Sequence, residues 1–122
     1  MKIISLIPAR GGSKAIKKKN IKLMAGEPLI HYAISASLDA KKIDRTIVST
    51  DDKEIVEIAK SNGAETPFLR PSELAQDNIL DYPVINHCIN YLINEEKYYP
   101  DILVYLRPTS PLRTSIEIDN VV

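Results

Sequence analysis

The stretch "KIISLIPARGGSKAIKKKN", residues 2–20, decides the fold. Residues 2–7 form a short, mostly apolar, β-branched run, which reads as a buried strand, and Pro8 closes it. From Arg10 through Lys22 there are six basic residues and no acidic ones, in a chain whose net charge is zero. Gly11 and Gly12 allow the backbone to approach a ligand closely and to point amides at it. A buried strand that empties into a cationic, glycine-containing loop is what a parallel sheet needs to bind an anion beyond its strand ends.

Outward from this stretch, the remaining sequence repeats the strand–helix rhythm. Residues 8–27 read as loop. Pro28 suits the first turn of a helix over 28–41, with Leu29, Ile30, Ala33, Ile34 and Leu38 on one stripe. "RTIVST" (45–50) reads as a second strand. Asp51 or Asp52 can cap a helix carrying Ile55, Val56, Ile58 and Ala59, which Gly63 ends. "AETPFLR" reads as a short third extended piece, and "RPSELAQD" as loop with one helical turn. The spacing of Val84, Ile85, Cys88, Ile89 and Leu92 predicts a long helix over 81–96. "DILVYL" (101–106) reads as a fourth, central strand, and Ser115 as the cap of a further helix. The alternation predicts an α/β domain spanning 1–122, with a three-layer arrangement of a mostly parallel sheet and helices on both faces. The loops to search for a site are then 8–27, 70–81 and 107–115.

Composition narrows the function classes. With 44% hydrophobic and 26% charged residues the chain has the make-up of an ordinary globular domain. Zero net charge implies no general affinity for nucleic acid or for an anionic membrane, so any attraction must be local. No run approaches the roughly 20 apolar residues that span a bilayer, and the N-terminal apolar run is too short for a signal peptide. Cys88 is the lone cysteine, which excludes an internal disulfide and a cysteine metal cluster. A cytoplasmic protein is expected.

The chemistry of the first loop points to a polyanion. Arg10, Lys14 and Lys19 can neutralise phosphates, arginine with a bidentate fork, and a triphosphate is the natural small ligand. Lys17, Lys18 and Lys22 read as surface charges. The loop is not a P-loop: Lys14 follows Ser13, and the next helix begins about fourteen residues later rather than at once. It is not the dinucleotide G-x-G-x-x-G either. His31 and His87 stand alone on helices, there is no Ser-His-Asp pattern or zinc spacing, and Tyr91, Tyr98 and Tyr99 read as packing residues. Asp51 and Asp52 at a strand end before a helix read as a cap rather than a metal site.

The residues "ARGGSKAIKKKN" resemble the A-R-x-x-S-K-x-x-x-x-K-N signature of the CMP-sialic acid synthetases, the N-acylneuraminate cytidylyltransferases. The resemblance continues through "VSTDD" (48–52), "LRPSELAQD" (69–77) and "RPTSPLR" (107–113), in the family's order and spacing. It implies an α/β nucleotidyltransferase related in shape to nucleotide-sugar glycosyltransferases. Such an enzyme joins CTP to the anomeric hydroxyl of an acidic nine-carbon sugar and releases pyrophosphate, with magnesium. It further implies that Arg10, Lys19 and Asn20 hold the triphosphate and orient the nucleotide, with Arg10 and Lys19 also serving catalysis, that Ser13 and Lys14 lie in the same cradle, and that the backbone at Pro8 and Ala9 reads the base. Arg70 would lie near cytosine and ribose. Arg107, Thr109, Ser110 and Arg113 would face the sugar's carboxylate and hydroxyls.

Three departures from the family pattern stand out. Arg107 occupies a position where many members have glutamine. Asp81 stands where a small hydroxyl residue is common; it either accepts from the cytosine amino group or caps the next helix. Members also run to about twice this length, and the paired aspartates for magnesium and a dimerisation segment lie in their second half. The chain is therefore expected to be the N-terminal part of a synthetase, its fold incomplete at the C-terminal end, with a homo-oligomer implied for the whole. The alternatives are a CTP-binding remnant without turnover, or an enzyme for the eight-carbon acid KDO; "SKAIKKKN" favours the sialic type.

Overall fold

A computed structural model describes residues 1–11, 26–76 and 80–108, with the backbone alone of 23–24. Strand β1, Ile3–Pro8, is the centre of a three-stranded sheet. β2 (Leu23–Met24) and β3 (Glu27–Pro28) form a small antiparallel hairpin turned at Gly26, whose φ of 86° suits glycine. Helix α1 (Leu29–Asp39) follows, then β4 (Arg45–Ser49) and α2 (Lys53–Ser61). A 3₁₀ turn spans Ser72–Leu74, α3 runs from Asp81 to Glu96, and β5 covers Ile102–Tyr105.

The strand order is β4-β1-β5, with both pairings parallel. Side chains alternate across β1, and both of its faces are buried. Ile3 and Ile7 meet Ile30, Ala33 and Ile34 of α1 and Ile55 and Ala59 of α2. Ile4 and Leu6 meet Cys88 and Leu92 of α3. The expected three layers, with a parallel sheet and helices on both faces, are thus present. Full burial of one such Ile or Leu side chain contributes roughly 1.5–3 kcal/mol, so the two clusters hold the layers together. Ser5 is the polar exception in β1. Its hydroxyl lies 2.5 Å from that of Ser37, which lies 2.6 Å from the Thr46 hydroxyl, so three buried hydroxyls satisfy one another between β1, α1 and β4.

Several element boundaries depart from expectation. Part of the segment read as loop forms the hairpin of β2 and β3. Pro28 precedes α1 as its N-cap, leaving Leu29 as the first helical residue. "AETPFLR" contributes a single bridge, Glu65 to Ile47, rather than a strand. The helix expected after Ser115 lies outside the described residues.

The chain leaves β1 towards β4 and returns across the sheet to β5 on the other flank. The strand order therefore reverses at β1, and the crevice beyond its carboxyl end is the natural ligand position.

Candidate functional site at the carboxyl edge of the sheet

Beyond β1, residues 9–11 run against the end of β4. The Ala9 amide donates to the Ser49 carbonyl at 2.9 Å, and the Gly11 amide donates to Asp51 Oδ1 at 2.8 Å. Asp52 is the cap of α2: its Oδ1 accepts from the amides of Glu54 at 2.8 Å and Ile55 at 3.4 Å. The two aspartates thus divide their work, one capping a helix and the other holding the start of the basic loop. Pro8 and Ala9 end β1, with Ala9 fully buried and Arg10 partly exposed.

Arg70 sits beside them with only 4% of its surface exposed. Its backbone amide donates to the Thr50 carbonyl at 2.7 Å. In its side chain, Nε donates to Ser49 Oγ at 3.0 Å, Nη2 to the Ser49 carbonyl at 2.7 Å, and Nη1 to the Leu74 carbonyl at 3.3 Å. All three acceptors are neutral. Burial lowers the Arg70 pKa; charge interactions with Tyr105 and Asp51 act against that shift, and the charge of Arg10 adds to it. Arg10 and Arg70 are therefore neighbouring cations at one edge. Arg70, expected beside cytosine and ribose, has one side of its fork occupied by Ser49 and clamps the end of β4 to the 3₁₀ turn.

At the flank, the carboxylate of Asp81 is shared. The Tyr105 hydroxyl donates to its Oδ1 at 3.1 Å, and Arg107 pairs with its Oδ2. This corrects the helix-cap reading of Asp81. The cap position is Leu80, which makes no side-chain cap, and Asp81 is the first helical residue, turned towards β5. Burial raises the Tyr105 pKa to about 12, and the adjacent Asp81 charge and its hydrogen bond add to the rise. Arg107, about half exposed, lies just beyond β5.

The site expected from sequence is thus brought together in part. Pro8, Ala9, Arg10, Arg70, Asp81 and Arg107 lie at the carboxyl ends of the three strands. Ser13, Lys14, Lys19, Asn20, Thr109, Ser110 and Arg113 lie outside the described residues. The sequence reading missed Asp51 as the partner of Gly11 and Tyr105 as the partner of Asp81. Four of the histidines and tyrosines singled out from sequence make structural contacts, and the fifth is exposed. His31 Nδ1 donates to Asn62 Oδ1 at 2.6 Å, and His87 packs edge-on against Phe68. Tyr91 also packs on Phe68, and Tyr98 lies under Lys2 and Arg45, whereas Tyr99 is exposed. Among the described residues no three His, Cys, Asp or Glu side chains gather as a metal site, and no helix is long and apolar enough to cross a membrane.

An open parallel sheet with arginines at the strand ends where its order reverses defines an α/β protein with a cationic edge beyond β1. Its family is the cytidylyltransferases: that family's model matches residues 4–121, and the chain belongs to it. The chain is 40% identical over 112 residues to the pseudaminic acid cytidylyltransferase of Campylobacter jejuni, covering 92% of this chain and 48% of that protein. It is 38% identical over 117 residues to the N-acylneuraminate cytidylyltransferase of Escherichia coli O18:K1:H7, covering 96% of this chain and 26% of that protein. In structure it resembles CMP:2-keto-3-deoxy-manno-octonic acid synthetase complexed with CTP, with a TM-score of 0.78 at 20% identity, over 98% of this chain and 45% of that one. The chain spans half or less of the length of each.

Proposed function

We propose that the chain is the nucleotide-binding part of a cytidylyltransferase that activates a sialic-acid-like nine-carbon acid with CTP. The products are the CMP-sugar and pyrophosphate. The observation that carries this reading is the pairing of family membership with the Arg10–Arg70 edge beyond β1. CTP and an acidic sugar repel one another, and cations at adjacent strand ends offset that repulsion. Arg10 would neutralise the triphosphate, with Ser13, Lys14, Lys19 and Asn20 of the same loop beside it. Pro8 and Ala9 would present backbone to the base, with Arg70 and Asp81 bounding its side of the crevice. Arg107, with Thr109, Ser110 and Arg113, would receive the sugar. In the reaction the sugar's anomeric oxygen would attack the α-phosphorus, the bond to the pyrophosphate oxygen would break, and the hydroxyl proton would pass to solvent water. Arginine and lysine charge stabilises the departing pyrophosphate.

Similarity to the pseudaminic and N-acylneuraminate enzymes supports a nine-carbon acid over KDO, to whose synthetase the likeness is one of fold. The reading extends to a cytoplasmic enzyme that works as a homo-oligomer, with no nucleic-acid or membrane partner. Magnesium is part of the family's implied chemistry, but the described residues do not fit it. Asp51 is committed to the Gly11 amide and Asp52 to the cap of α2.

The test is thermal unfolding of the chain in rising CTP. A ligand that binds only the folded state stabilises it by about 2.7 kcal/mol at 100 times its Kd. The midpoint should climb with CTP, and Arg10→Ala should abolish the climb. A midpoint indifferent to CTP would refute the reading. Pyrophosphate release with N-acetylneuraminic acid and magnesium is expected to be little or none from these 122 residues.

A further inference from the structure

A carboxylate at the mouth of a site for a polyanion needs a reason. Asp51 lies beside Arg10 in the crevice beyond β1, where its charge opposes any phosphate that approaches. Its Oδ1 accepts the Gly11 amide at 2.8 Å, while the Ala9 amide is held by the Ser49 carbonyl at 2.9 Å. Arg10 is therefore anchored on both sides, by the amide before it and the amide after it. The anchors are themselves fixed. Ser49 is gripped by Arg70 through both its hydroxyl and its carbonyl. Asp52 donates its amide to Thr50 Oγ1 at 3.1 Å and caps α2. Gly11 is seated against this platform so closely that a Cβ there would lie 2.5 Å from Asp52 Oδ2 and 2.7 Å from Asp52 Cβ. Only glycine brings the backbone down to the Asp51 carboxylate without moving Asp52.

We infer that Asp51 is a positioning residue for Arg10: by holding the Gly11 amide it fixes the backbone from which Arg10 meets the triphosphate. This rests on the nucleotide reading above. Two physical effects of Asp51 have opposite signs, which makes the inference testable. As a charge, Asp51 weakens binding of an anion, so removing it should tighten CTP binding. As an anchor, it strengthens binding, so removing it should weaken CTP binding. On this inference the anchoring effect of the part-buried bond outweighs the repulsion, and the sign of the change in affinity decides between them.

The experiment compares the unaltered chain with Asp51→Ala, Asp51→Asn and Gly11→Ala, measuring CTP affinity by calorimetry and the exchange rate of the Gly11 amide proton by NMR. Asp51→Ala should weaken CTP about tenfold, a typical effect of losing one hydrogen bond to a charged group, and speed Gly11 exchange. Asp51→Asn keeps an oxygen acceptor and loses the charge, so it should restore affinity to within about twofold of the unaltered chain. Gly11→Ala should weaken CTP although Asp51 is intact. Unfolding midpoints without ligand separate these effects from loss of fold. Tighter or unchanged CTP binding by Asp51→Ala, or equal affinities for Asp51→Ala and Asp51→Asn, overturns the inference while leaving the nucleotide reading in place. No CTP binding by the unaltered chain overturns the nucleotide reading, and this inference with it.

Discussion

Replacing Arg70 by lysine is expected to destabilise the chain more than replacing it by methionine, although lysine conserves the charge. Arg70 is 4% exposed and meets three neutral acceptors, two of them at 3.0 Å or less. Methionine forfeits those two good bonds, about 1.5 kcal/mol each for a charged donor. It also abolishes a buried charge whose desolvation costs several kcal/mol. Methionine fills much of the stem's volume, and the Ser49 carbonyl keeps the Ala9 amide. The lost bonds and the unpaired Ser49 hydroxyl together outweigh the relieved desolvation by about 1 kcal/mol. Lysine keeps the burial cost, reaches one acceptor, and leaves ammonium donors and the Ser49 hydroxyl without partners, for a loss of about 3 kcal/mol. Urea unfolding at pH 7, followed by circular dichroism with the slope held common, measures both. Lysine proving as stable as methionine would mean that charge, rather than fork geometry, is what the end of β4 needs.

Arg45→Met should cost about 1 kcal/mol, because Arg45 pairs with Glu65 at 2.6 Å and Glu96 at 3.0 Å and stacks over Tyr98, in partly solvated surroundings. It lies at the end of the sheet opposite the site, so calorimetry should find CTP affinity unchanged. Alkaline stability should fall in a defined window. Burial raises Cys88 from 9.0 to about 12 and Tyr105 from 10.0 to about 12. The folded chain keeps these protons where the unfolded chain has released them. Stability is thus unaffected by either group below pH 9 and drops from there towards pH 12. Urea titrations at pH 8 and 11 in reductant should show the drop, and Cys88→Ala should make it shallower; a rise in stability over this range would contradict the burial of both groups.

Local pattern made much of the fold legible. β1 has apolar residues pointing both ways, which only a strand covered on both faces tolerates, and it is the central strand. The expected helix 81–96 has those bounds because its buried residues, Val84, Cys88 and Leu92, recur at i, i+4 and i+8. The cap at Asp52 follows from a short polar side chain before a helical run. What stayed hidden depends on distance in sequence. Asp51 meets Gly11 40 positions away, and Asp81 meets Tyr105 24 positions away. No periodicity encodes either contact. "AETPFLR" has the look of a strand, yet only Glu65 finds a partner backbone in β4, so the extended run makes no ladder. In the hairpin around Gly26 each strand is two residues long, too short to leave an alternation.

The three arginines at the edge differ in how much field they can offer an anion. Arg107 is about half in solvent and is paired with Asp81, so water and a carboxylate both reduce its reach. Arg70 is buried, and its described partners are neutral oxygens; its charge is dispersed by dipoles but cancelled by no contacting carboxylate. A buried charge is screened less than an exposed one at equal distance. Under the proposed function, a phosphate beyond β1 gains from Arg70 without touching it, and Arg10 supplies the direct contact from a backbone held on both sides. The pairing of Arg107 has the opposite consequence. Under the same proposal an acidic sugar would compete with Asp81 for that guanidinium, and the Tyr105 hydroxyl would retain Asp81 when it lets go. Sugar binding at β5 would then exchange one carboxylate for another, so charge alone would provide little net gain there. Selectivity at this flank would then come from how the incoming carboxylate fits the arginine fork rather than from its charge.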